Sequence, residues 1–168
     1  MNQRTIFLTL AGTLGLIVVL AWVARPGVPK NEPVVEGTSI SAGTLEVKES
    51  TYDFGTISMK AGKISHVFNF KNVGTDPVTI AKMYTSCMCT TALLKVGEKQ
   101  IGPYGMPGHG AIPRIDQTIN PGEEASVEVV FDPAAHGPAG VGKIQRVVTL
   151  EQNAAKPVEF NFSALVTP

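Results

Sequence analysis

Beyond residue 44 the chain alternates apolar and polar positions with a period of two. That spacing puts successive side chains on opposite faces of a β-strand. Ile64, His66, Phe68 and Phe70 alternate with Ser65, Val67, Asn69 and Lys71. Val78 and Ile80 alternate with Thr79 and Ala81, and Ala125, Val127, Val129 and Phe131 with Ser126, Glu128 and Val130. Ile144, Val148 and Leu150 share one face that Arg146 interrupts, and Val158, Phe160, Phe162 and Ala164 share another. Leu45 to Val47 and Ile115 to Ile119 are shorter candidates. Turn signals separate these runs: Asn72-Val73-Gly74, Asp76-Pro77, Asn120-Pro121-Gly122 and Asp132-Pro133. The pattern predicts an all-β domain of about seven short antiparallel strands packed as a sandwich.

A different pattern precedes the domain. Residues 6–24 form a nineteen-residue run without a charge, ending Ala21-Trp22-Val23-Ala24. At about 1.5 Å per residue, a helix of that length just crosses a hydrocarbon core of roughly 30 Å. Arg4 lies before it, which orients the N-terminus to the cytoplasm and the rest of the chain outward. The expectation is an uncleaved signal-anchor over residues 1–24, embedded in lipid through residues 6–24. A cleaved signal peptide ending near Val19-Leu20-Ala21 is the rival reading, and it exports the same domain. Residues 25–43, with Pro26, Pro29 and Pro33, read as an extended tether. The domain, residues 44–168, is thus expected on the periplasmic side of the inner membrane as part of a single-pass protein.

Composition sharpens the fold class and removes some functions. Twelve prolines and seventeen glycines in 168 residues suit a loop-rich β domain. Beyond residue 24, thirteen Lys/Arg stand against fourteen Asp/Glu, a net −1. That leaves no basic footprint for nucleic acid or anionic lipid. With its short alternating strands, the domain is expected to be an immunoglobulin-like β-sandwich. It has no Cys…Trp…Cys pattern of the antibody type, since its one Trp is Trp22 in the apolar run.

The order of motifs resembles a known bacterial family. Tyr52-Asp53-Phe54-Gly55-Thr56-Ile57 opens the domain, followed by Gly62, His66-Val67-Phe68-Asn69-Phe70-Lys71-Asn72-Val73-Gly74 and Pro77-Val78-Thr79-Ile80. Ser86-Cys87-Met88-Cys89-Thr90, Asn120-Pro121-Gly122-Glu123 and Val129-Val130-Phe131-Asp132-Pro133 complete it. This order, over roughly residues 50–166, looks like the family catalogued as domain of unknown function 1573. The resemblance implies an exported, often membrane-tethered module similar to those of major sperm protein and cilium-associated proteins. It implies no activity. The chain departs from the family pattern where Met88 replaces the usual Gly between the cysteines and Ala164 stands where Gly is common. It also carries a long Gly/Pro-rich segment between Thr91 and Pro121.

The chemistry centres on the two cysteines, Cys87 and Cys89. On an extended strand, residues two apart have Cα atoms about 6.6 Å apart, longer than a disulfide prefers. A Cys87–Cys89 bridge therefore needs the backbone to turn. Two thiolates suit a soft ion such as Cu(I). Met106 and His109, three apart in a segment holding five glycines between positions 97 and 110, are further soft ligands within reach. The expected metal set is Cys87, Cys89, Met106 and His109, with Cu(I) as the ion. His66 reads as a packing residue beside Phe68 and Phe70, His136 as a turn residue, and Met83 as a strand residue. Residues 97–113 show no strand or helix pattern and read as a long, weakly charged loop carrying Ile101, Tyr104, Met106 and Ile112. Such a loop suits a protein partner or closure over a ligand.

No phosphate loop, Gly-x-Ser-x-Gly or His-Glu-x-x-His occurs, and no third group orients a Cys–His pair, so no catalytic residue or small-molecule substrate is expected. Three functions remain open. One is a non-enzymatic envelope module binding Cu(I). Another is a protein-interaction module of an envelope or membrane complex, with structural cysteines. The third is a thiol redox sensor.

Overall fold

The structure, a computed structural model, describes residues 43–108, 111–153 and 155–168. The apolar run 6–24, nearly all of the tether and His109 lie outside these residues. Among the described residues no helix is long and apolar enough to cross a membrane.

Ten strands follow in order: β1 Leu45–Val47, β2 Thr51–Ser58, β3 Ile64–Asn72, β4 Val78–Thr85, β5 Thr90–Val96, β6 Lys99–Tyr104, β7 Gln117–Ile119, β8 Glu124–Phe131, β9 Gly142–Gln152 and β10 Val158–Thr167. They form two five-stranded sheets, β1-β3-β8-β5-β6 and β2-β10-β9-β4-β7. The expectation of about seven antiparallel strands is thus corrected in two ways. Three further strands, β2, β5 and β6, complete the sheets, and β2 runs parallel to β10 while the other pairs are antiparallel. The first part of the stretch read as a long loop is strand β6, which pairs with β5 as a hairpin.

The alternation has its expected consequence. Ala125, Val127, Val129 and Phe131 of β8 stand beside Phe68 and Phe70 of β3 and the row Ala92, Leu94 and Val96 of β5 on the inner face of one sheet. The other sheet answers with Val78, Ile80, Met83, Val148, Leu150, Phe160 and Phe162. A register shift between Ile80 and Lys82 moves the inward row of β4 from even to odd positions. Met83, Thr85 and then Cys87 are therefore buried. His66 behaves as a packing residue. Its ring stacks on Tyr52 with centroids 3.6 Å apart and meets Glu49 at 2.8 Å.

One buried polar side chain ties the turns together. The Asn72 amide nitrogen donates to the carbonyls of Asp76 and Ile119, both at 2.9 Å, and its oxygen accepts from the Gly74 N–H at 3.0 Å. Gly74 itself is required by close approach, since a Cβ there would lie 2.6 Å from the Thr44 nitrogen. Asn72→Ala removes three bonds in a fully buried place and is expected to cost about 2 kcal/mol. Urea unfolding checks this, and a loss below about 0.5 kcal/mol would contradict it.

Candidate functional site

Two connections cross from one sheet to the other at the same end of the sandwich. The first joins β4 to β5 and consists of Ser86, Cys87, Met88 and Cys89. The second joins β8 to β9 and carries His136 just before a 3-10 turn, Gly137–Gly140.

The first crossover is held by a dense set of hydrogen bonds. Ser86 continues the pairing of β4 with β9, its N–H donating to the Val147 carbonyl and its Oγ accepting from the Val147 N–H, both at 2.9 Å. On the other sheet, the Asp132 N–H donates to the Cys89 carbonyl at 2.9 Å. Between these, the Thr90 N–H closes a turn on the Cys87 carbonyl at 3.1 Å. The buried Thr85 hydroxyl lies within bonding distance of the Cys87 and Thr90 carbonyls, at 2.9 and 3.0 Å. The backbone therefore does turn. The Cys87 and Cys89 Cα atoms stand 5.3 Å apart, and the sulfurs are bonded as a disulfide. Met88 sits at the turn tip, 66% exposed. Among the described residues Asp116 is the only non-glycine with positive φ, so the Met88 position needs no glycine.

Each sulfur has its own polar partner. Nε2 of His136 lies 3.1 Å from Cys87 Sγ. Nε of Arg146 donates to Cys89 Sγ at 3.3 Å. The two cysteines are buried, Cys87 8% and Cys89 3% exposed as residues, while His136 is exposed. The two sulfurs and a His136 ring nitrogen all lie within 4.8 Å of one another.

The sequence pointed to part of this arrangement. It singled out the cysteine pair. Met106, 48% exposed, lines a shallow groove with Met83, Tyr84, Pro103 and Ile112, and neither cysteine lines that groove. His109 lies outside the described residues. His136 does occupy a turn, as read, but its ring reaches a cysteine 49 positions away, which no local pattern reveals. Arg146 left a usable signal, being a charged residue in the inward row of β9 between Ile144 and Val148.

A bridge between residues two apart stabilises little as a staple. The chain-entropy argument gives on the order of 1.5 kcal/mol for so short a loop, about half that of a fifteen-residue loop. The turn is in any case already held by its backbone and Thr85 bonds. What the arrangement can do is open and close the bridge. The guanidinium favours a thiolate on Cys89 and the imidazole can take or give a proton at Cys87.

No curated protein matches the chain. Among solved structures, a protein of unknown function from Porphyromonas gingivalis W83 is similar over 80% of this chain and 51% of its own, with 18% identity and a TM-score of 0.53. The chain thus spans about half the length of that protein, and the likeness is one of fold. The ASH/PapD-like domain 7 of human CEP192 aligns over 86% of this chain and 95% of its own, with 14% identity and a TM-score of 0.46. The Vibrio cholerae VesB protease aligns over 73% and 31%, with 17% identity and a TM-score of 0.48. Residues 45–103 match the family model described as protein of unknown function (DUF1573), so the resemblance read from the motif order holds over that stretch.

Proposed function

We propose that this chain is a membrane-tethered, immunoglobulin-like accessory module of the cell envelope whose Cys87–Cys89 pair works as a reversible disulfide. The supporting observation is that each sulfur of a non-stapling bridge has its own polar partner, His136 on Cys87 and Arg146 on Cys89. The tethering and the oxidising compartment are supported by the uncharged run 6–24 and the tether that follows it.

The exchange follows from the geometry. Cys87 is the less buried cysteine, and its sulfur lies beside the exposed imidazole. An incoming thiol gives its proton to His136 Nε2, and its sulfur attacks Cys87 Sγ. The Cys87–Cys89 bond breaks, and its electron pair leaves on Cys89 Sγ as a thiolate facing Arg146. A better-stabilised leaving thiolate departs faster. A second thiol then attacks the mixed disulfide and releases Cys87. Two external thiols become one disulfide, and the pair becomes a dithiol.

Thiol counting on the folded full-length chain tests this. Air-equilibrated protein should show no reactive thiol and mildly reduced protein two, with no change in its circular dichroism. Two reactive thiols in the air-equilibrated protein, or a bridge that opens only on unfolding, would overturn the proposal.

A further inference from the structure

The state that exchange produces has a property of its own. With the bridge open, the crossover presents two thiolates and an imidazole nitrogen, and these three donor atoms already lie within 4.8 Å of one another. Bonds of about 2.3 Å from sulfur and 2.0 Å from nitrogen can then meet at one ion after a small relaxation. The donors come from two crossovers that bind the two sheets, so the sandwich itself brings them together.

We infer that the reduced form is a three-coordinate site for a monovalent, thiophilic ion, Cu(I), held by Cys87 Sγ, Cys89 Sγ and His136 Nε2. This inference rests on the reversible bridge proposed above. Charge selects the ion. Two thiolates bring −2 and Arg146, 3.3 Å from Cys89 Sγ, brings +1. A monovalent cation closes the balance at zero, whereas a divalent one leaves +1 beside two buried cysteines. Sulfur donors also prefer soft Cu(I), and zinc sites ordinarily take four ligands rather than three. Arg146 then acts as the outer partner of a ligating sulfur. This ligand set differs from the one expected from spacing, in that His136 takes the place of Met106 and His109.

The test uses the full-length chain in detergent, reduced without oxygen, with two reactive thiols per chain verified before any metal is added. Cu(I) is titrated against a chromophoric Cu(I) chelator, with Zn2+ in a parallel arm. The expected result is one Cu(I) per chain, with X-ray absorption reporting two sulfur neighbours and one nitrogen. His136→Ala should weaken binding by at least about tenfold, as the loss of a partner to a metal site does. Met106→Ala and His109→Ala should each stay within about twofold of the parent. His136 is exposed, so its replacement leaves the core intact.

If both thiols are present and no Cu(I) is held against the chelator, the inference falls and the reversible bridge stands. The inference also falls if His136→Ala binds as tightly as the parent, or if Zn2+ is held in preference to Cu(I). If mild reduction of the folded protein yields no thiols, both fall together.

Discussion

Phe160→Ala is expected to cost about 3–5 kcal/mol of folding stability. Phe160 of β10 is fully buried and stacks on Phe68 of β3 with centroids 5.0 Å apart. It also meets Phe70 at 6.0 Å. Its partners belong to the opposite sheet, so the ring is a main contact between the two layers. Removing it leaves a cavity lined by side chains from both sheets, which the strand hydrogen bonds prevent from collapsing. A domain of this size has a net stability of about 5–15 kcal/mol, so the loss takes a large share of it. The melting temperature should fall by roughly 10–20 °C. Thermal unfolding followed by circular dichroism checks this, with Leu165→Ala, at a half-exposed outward position on the same strand, as the control expected to change little. A loss for Phe160→Ala no larger than that of the control would show that the sheets are held together elsewhere.

The strands that were legible are those whose apolar residues carry the alternation unaided, notably β3, β8, β9 and β10. The other three, β2, β5 and β6, each hide it for a physical reason. In β2 the register against β10 shifts opposite Gly55, whose φ is +68°, and the period of two breaks there. In β5 the inward row begins with Thr90 and Ala92 while Leu93 points outward, so the apolar residues mislead. In β6 Gly102 and Pro103 read as loop residues, but the strand lies at the edge of its sheet, where a missing N–H is tolerated. The parallel pairing of β2 with β10 joins segments more than a hundred residues apart and has no local signature. The site divides the same way. Two cysteines with one residue between them are visible to any reading. His136 and Arg146 reach them through sheet crossovers and strand register, which become known only once the sandwich is assembled.

Arg146→Met separates a chemical role for the guanidinium from a packing one. Methionine keeps an unbranched apolar stem in the inward row of β9, so the core should hold and the melting temperature should move little. What is lost is the charged donor 3.3 Å from Cys89 Sγ. A hydrogen bond to a charged group contributes about 1.5–3 kcal/mol. The same donor meets Cys89 Sγ in the disulfide, and the bond strengthens in the reduced state, where Cys89 is a thiolate. Without it the balance moves toward the disulfide by up to that amount, which for a two-electron couple is a shift of at most about 30–60 mV to more negative potential. Exchange with an external thiol should slow by about tenfold, since the leaving sulfur is the one that loses its stabilising charge. Equilibration in dithiothreitol redox buffers, read by alkylation and mass, gives the potential, and stopped exchange gives the rate. Arg146→Lys keeps the charge but not the Nε geometry and should recover part of both. His136→Ala, which acts on the incoming proton at Cys87, should slow exchange with a smaller shift in potential. A potential unchanged in Arg146→Met would reduce the arginine to a filler of the β9 row and remove the main support for Cys89 as the leaving sulfur.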